Sequence, residues 1–263
     1  MTYEELVEKV ASNWDKSHEG LHGPEMAWNP EYPDLEWDWN NIHELNLWNY
    51  WQGSRTHKAD IMLVGQDWGN PYTLGGDILY GNIVNGRNYF TGLNKKFDTD
   101  INLGVLFAVL KKDGKQLYPD IIQNRYDNLY FTNFCLGYRK NNSSGGMTKT
   151  YMMRDKCYFS KLSEIVDPKI IITLGKTTYE CAVSALQKAP FTAKNFLQNL
   201  RSGELNKIRT NVNGHEVAVV GVAHCGAYGV NINRVKYEPA GANGLDLMKT
   251  DWERINPIID ELM

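Results

Sequence analysis

Three residues with complementary chemistry each follow an apolar run. Asp67 stands after Ile61-Met-Leu-Val-Gly-Gln, Asn133 after Leu129-Tyr-Phe-Thr, and His224 after Val217–Val222 and one alanine. A carboxylate orients water and stabilises a developing cation. A carboxamide offers one acceptor and two donors, enough to pair with a nucleobase edge. A neutral imidazole donates to an oxygen that turns anionic as a leaving group departs. Taken together they describe a site that reads a flat polar ring and breaks a bond beside it. Taken singly, Asp67 equally suits a helix cap, Asn133 a turn, and His224 a core histidine bonded to backbone.

The runs themselves fix where these groups must sit. Ile61–Val64, Leu129–Phe131, Ile170–Leu174 and Val217–Val222 are short, apolar and rich in β-branched or aromatic residues, the pattern of strands buried on both faces. Helical patterns lie at Leu103–Lys111, Cys157–Val166, Thr177–Leu186 and Leu245–Ile255. Strand–helix alternation at these lengths predicts βαβ units. The expected fold is α/β, with a four-stranded, mainly parallel sheet flanked by helices over residues 60–263. All four strand ends then fall along one edge, where open α/β sheets bind ligands. The third strand runs into Gly175 and Lys176, and the helix that follows is placed to offer backbone N–H donors there.

Residues 1–59 read as an extension packed on that body. Thr2 and Glu5 form a capping-box pattern, and Leu6, Val10 and Trp14 recur at four-residue steps, so a helix is expected over 2–14. A Trp-rich stretch follows, with Trp28, Trp37, Trp39, Trp48 and Trp51. His18 and His22 are four apart, but Gly20 and Gly23 interrupt the helix a metal pair would need, so no metal is expected there. Residues 139–150 read as a flexible basic loop and 188–214 as an insertion.

Composition narrows the function classes. The chain has 263 residues, 42% of them hydrophobic and 22% charged, which suits a globular core and excludes wholesale disorder. No apolar run approaches the ~18 residues of a membrane helix, and residues 1–20 lack the pattern of a signal peptide. Four scattered cysteines without a Cys-x-x-Cys pair favour free thiols and a cytoplasmic location. Residues 1–60 carry 12 Asp+Glu against 4 Lys+Arg, a balance of −8 that leaves +5 for residues 61–263. A mildly basic body is compatible with a phosphate-contacting face.

The motifs, in order, resemble the uracil-DNA glycosylase superfamily. Gly65-Gln66-Asp67 is similar to the start of its Gly-Gln-Asp-Pro-Tyr-His motif, and Asn88-Tyr-Phe-Thr-Gly92 to its Pro-Phe-x-Gly segment. Leu129–Asn133 and Cys157–Gly175 resemble segments of the iron–sulfur branch, and Ala223-His224 the start of the His-Pro-Ser loop. The resemblance spans about residues 60–256. It implies a three-layer α/β fold and a monofunctional hydrolase that cuts the N-glycosidic bond of uracil or a related damaged base in DNA.

By that resemblance Asp67 and His224 are catalytic, and Gln66, Phe90 and Asn133 bind the flipped base. Gly175, Lys176, Cys225 and Tyr228 would then face DNA. Tyr228 suits either a wedge into the base stack or an ordinary packed position. DNA is the expected partner and a monomer the expected state, with no cofactor and no membrane. Trp68-Gly69 replaces the Pro-Tyr whose tyrosine excludes thymine, and His224-Cys225-Gly226 replaces His-Pro-Ser. Ligand cysteines for a cluster are missing apart from Cys157, so no iron–sulfur centre and no other metal is expected. A competing reading is a catalytically silent member that binds single-stranded or modified DNA.

Overall fold

A computed structural model describes residues 1–27, 57–67, 98–119, 121, 126–139, 145–236 and 238–263. Along the chain come α1 (Tyr3–His18), β1 (Met26–Ala27), β2 (Ile61–Gly65), α2 (Asp98–Phe107), β3 (Lys111–Lys112), β4 (Lys115–Gln116), β5 (Leu129–Asn133) and β6 (Tyr138–Arg139). The helix α3 (Lys149–Met152) runs through a 3-10 turn, Met153–Asp155, into α4 (Lys156–Val166). Then follow β7 (Ile170–Leu174), α5 (Lys176–Gln187), α6 (Phe196–Ser202), β8 (Asn206–Val212) and β9 (His215–Val222). A π-helical turn, Gly229–Asn233, precedes α7 (Gly244–Glu253) and α8 (Asn256–Leu262). The Trp-rich residues 28–56 lie outside the described residues.

The main sheet has the order β5-β2-β7-β9-β8. Its first four strands are parallel and β8 is antiparallel to β9. Every residue of β2, β5 and β7 is buried, as strands covered by helices on both faces must be. The four parallel strands are the four expected from the apolar runs. In chain order they lie 2-1-3-4, so the order reverses between β2 and β7. Connections leaving neighbouring strands in opposite directions open a crevice at such a switch point.

The sheet has five strands rather than the four expected. Residues 206–212 lie in the segment read as an insertion, and they form an edge strand. Only its two end residues are buried and the five between them are exposed or half-exposed, so no apolar run betrays it. The available signal was the turn: Asn213-Gly214 joins β8 to β9, both at positive φ, as a two-residue hairpin loop requires. Asp113-Gly114 does the same between β3 and β4. That hairpin ends α2 at Phe107, so Lys111 is in a strand and not in the helix expected to reach it.

Helix α1 forms as its pattern dictates. The Thr2 hydroxyl accepts from the Glu5 N–H at 3.2 Å, the Glu5 carboxylate accepts from the Thr2 N–H at 2.8 Å, and Leu6, Val10 and Trp14 are buried. Its apolar stripe packs on α4, which in turn packs on α5. Helices α2 and α7 pack together, with the Phe107 ring edge-on to Trp252 at 5.2 Å. Among the described residues no helix is long and apolar enough to cross a membrane.

Candidate functional site

The crevice at the switch point is built from strand ends. Gly65 pairs in register with Asn133, and Leu174 with Val222. Pairing continues past the strands: the Phe134 N–H donates to the Gly65 carbonyl and the Cys135 N–H to the Gln66 carbonyl, both at 2.9 Å. The Gly175 N–H donates to the Val222 carbonyl at 2.7 Å. Asp67, Asn133, Gly175 and His224 therefore stand at the carboxyl ends of four adjacent strands. Gln66 is half-buried beside them, held by its backbone rather than by a described side-chain bond.

Asp67 is not a free carboxylate. Arg139 grips it at both oxygens: the guanidinium Nε donates to Oδ2, and Nη2 donates to Oδ1 at 3.2 Å. The two side chains are only 7% and 8% exposed, so this is a buried pair. Arg139 is fixed in turn by the Gly145 carbonyl, which accepts from its Nη1 at 2.5 Å, and by the pairing of β6 with β1. Residue 139 thus belongs to an ordered strand rather than to the flexible loop expected from 139–150. Lys140–Ser144 lie outside the described residues.

Asn133 supplies a contrasting environment. The residue is 4% exposed, yet its carboxamide has no hydrogen-bond partner among the described residues. Its Oδ1 lies over Gly65, where a β-carbon would come within 2.0 Å of it. Glycine at 65 is what lets the amide lie across the neighbouring strand. An amide with no protein partner keeps one acceptor and two donors for a ligand edge.

His224 is solvent-accessible at the mouth, with protein packed closely around its ring. Desolvation lowers its pKa below the ordinary imidazole value, opposed by the negative charge of Asp67. Its Nδ1 accepts from the Gly226 N–H at 3.0 Å. The neutral ring therefore carries its proton on Nε2. Beside it, Gly175 has φ 93° and ψ 158°, a conformation essentially reserved for glycine. It starts α5 with no side-chain cap, so first-turn N–H groups have no side chain closing them off.

The outer positions divide. Lys176 is exposed, with Glu180 3.7 Å away, and Tyr228 is 69% exposed, so the packed alternative for Tyr228 is excluded. Ile232, one helical turn further, is exposed as well. Cys225 does not belong on a DNA-facing surface. Its side chain is buried, with the thiol 3.9 Å from the Thr99 carbonyl, and its own carbonyl accepts from Asn102 at 2.7 Å. The loop after β9 is thereby tied to α2, which draws that side chain inward. Phe90 and Trp68-Gly69 lie outside the described residues.

Arg139 is the functional candidate that sequence reasoning passed over. Its partner is 72 residues away, and its setting among Lys, Asn, Ser and Gly looks like solvent-facing loop. No protein-family model matches the chain. No curated protein matches it either.

Proposed function

We propose that the protein is a DNA base glycosylase, acting on a nucleotide flipped into the crevice at the ends of β2, β5, β7 and β9. The observation that carries this reading is that the Asn133 carboxamide, without a partner among the described residues, and His224, with its proton on Nε2, stand on the same sheet edge, on either side of Asp67 and Gly175 at the ends of β2 and β7. Asn133 pairs with the edge of the base. His224 donates to the base oxygen that gains charge as the glycosidic bond lengthens, and a neutral ring pays no penalty for entering that site. Asp67 orients water toward the sugar carbon. The Arg139 bonds leave lone pairs of the carboxylate over for that water, since two oxygens carry about four acceptor sites.

The same Arg139 supports a second reading. A guanidinium that compensates Asp67 weakens the field available to an oxocarbenium-like centre, which favours a protein that binds flipped or single-stranded DNA without cutting it. Oligonucleotides carrying uracil, hypoxanthine, xanthine or a thymine mismatch, single- and double-stranded, separate the two. Alkali-labile cleavage supports the glycosylase, with Asp67→Asn losing turnover far more than DNA affinity. Retention without cleavage supports the binder. Absence of both activity and salt-sensitive DNA binding from the folded protein would sink both readings.

A further inference from the structure

Outside the crevice, three ligand-type side chains converge in the interior: His18 from the end of α1, Cys135 just after β5, and Asp155 from the 3-10 turn before α4. All three are buried, and His18 Nδ1 or Nε2, Cys135 Sγ and an Asp155 oxygen lie within 4.8 Å of one another. We propose that they form a binding site for a divalent transition metal, of the zinc class, that staples α1 to the end of β5.

The hydrogen bonds around the cluster argue for a cation at its centre. His18 Nδ1 lies 2.8 Å from both the Trp14 carbonyl, an acceptor only, and the Ser17 hydroxyl, which donates to that same carbonyl at 2.7 Å, so Nδ1 carries a proton and Nε2 presents a lone pair when the ring is neutral. Asp155 Oδ2 accepts from Trp14 Nε1 at 3.2 Å and from the Leu136 N–H at 3.0 Å, which fixes the carboxylate and leaves Oδ1 over. His18 Nε2 and Asp155 Oδ1 are 3.3 Å apart, yet neither has a hydrogen-bond partner. They are close without being aligned toward each other.

Two adjacent ligands of a tetrahedral zinc, at its usual Zn–N and Zn–O bond lengths, lie about 3.4 Å apart. The spacing of His18 Nε2 and Asp155 Oδ1 matches that edge. A ligating histidine that donates its other N–H to a backbone carbonyl, and a ligating carboxylate held by N–H donors, are the outer contacts that orient metal ligands. One thiolate, one imidazole and one carboxylate suit zinc better than the hard cations, which prefer oxygen alone. A cavity of about 490 Å³, lined by Trp14, His18, Glu19, Glu25 and Tyr151 among others, reaches the cluster on its His18 side.

The metal would join residues that are 117 and 20 positions apart along the chain. Cys135 lies between Asn133 and Arg139, so the staple also holds the segment that carries both crevice residues. The site does not depend on the proposed glycosylase chemistry.

The test uses the full chain. Metal analysis of the purified protein should find one zinc per chain, and chelator stripping should lower the Tm, with zinc restoring it. Cobalt added to stripped protein should give a thiolate-to-cobalt charge-transfer band. Cys135→Ser should abolish that band, and both Cys135→Ser and His18→Gln should weaken zinc binding beyond the roughly 10–100-fold cost of losing an outer contact. Cys157→Ser, at an exposed thiol, should change neither. Stripped wild-type protein that gives no cobalt band and no Tm response to zinc overturns the proposal, whether or not the variants fold. So does zinc binding that survives Cys135→Ser unchanged.

Discussion

Asp67 and Arg139 are bound to each other at two points, from the end of β2 and from β6, and both side chains are nearly excluded from solvent. Removing one member leaves a buried charge uncompensated, which costs about 3–5 kcal/mol. Asp67→Asn and Arg139→Met should each destabilise on that scale in urea denaturation. The double variant Asp67→Asn with Arg139→Met should recover most of the loss. Additive losses would mean that the two side chains are not energetically coupled.

Asn133 should behave in the opposite way. Its carboxamide has no partner among the described residues, so Asn133→Leu breaks no described hydrogen bond at similar volume and should change stability by less than about 1 kcal/mol. Base release or base-dependent DNA binding should fall by about 100-fold or more, because hydrogen-bonding sites discriminate strongly. Parallel melting and binding assays read both. A loss of stability without a loss of recognition would place Asn133 in the scaffold.

Gly65→Ala tests the same amide from beneath. The added methyl would come within 2.0 Å of Asn133 Oδ1, which is the end of a side chain and can rotate away. We expect a folded protein in which recognition drops nearly as far as in Asn133→Leu. Wild-type affinity in a folded Gly65→Ala protein would show that the position of the amide is unimportant.

Gly175→Ala probes the start of α5. Nothing lies closer than 3.8 Å to the added carbon, so the cost is backbone conformation alone, of order 1–3 kcal/mol at such a φ and ψ. A drop in Tm with an unchanged circular dichroism spectrum is the expected result.

His224 sets a pH dependence. Desolvation by the protein packed around the ring lowers its pKa in the folded chain below the ~6.5 of an unfolded histidine. Between those two values the unfolded chain binds more protons, so stability rises with pH through that window. The contribution is present in full above about pH 6.5 and is lost as pH falls through the folded pKa. NMR titration of the ring should give a midpoint below 6.5, and His224→Gln should flatten stability across that window. A midpoint above 6.5 would mean that Asp67 outweighs desolvation.

The elements were legible where burial imposes a pattern. Ile61–Gly65, Leu129–Asn133 and Ile170–Leu174 are covered on both faces, and continuous apolar runs reveal such strands. Edge strand β8 escaped because one side is open to water and its residues are mixed, although Asn213-Gly214 marked the hairpin. Asp67, Asn133 and His224 were legible as polar residues within three positions of the ends of those runs. The partners of Asp67 and His18 were not, because Arg139 and Asp155 sit 72 and 137 positions away and no local periodicity connects them.

The sequence by itself determined which segments become strands and which polar groups end them, since hydrophobic periodicity and turn chemistry act over a few residues. Only the tertiary structure decided that β2 and β7 are neighbours, that Arg139 rather than water meets Asp67, and that His18 turns inward to Cys135 and Asp155. Those outcomes depend on strand order and on contacts between distant segments. The free energy of a buried charge or ligand is set by what surrounds it, not by what precedes it in the chain.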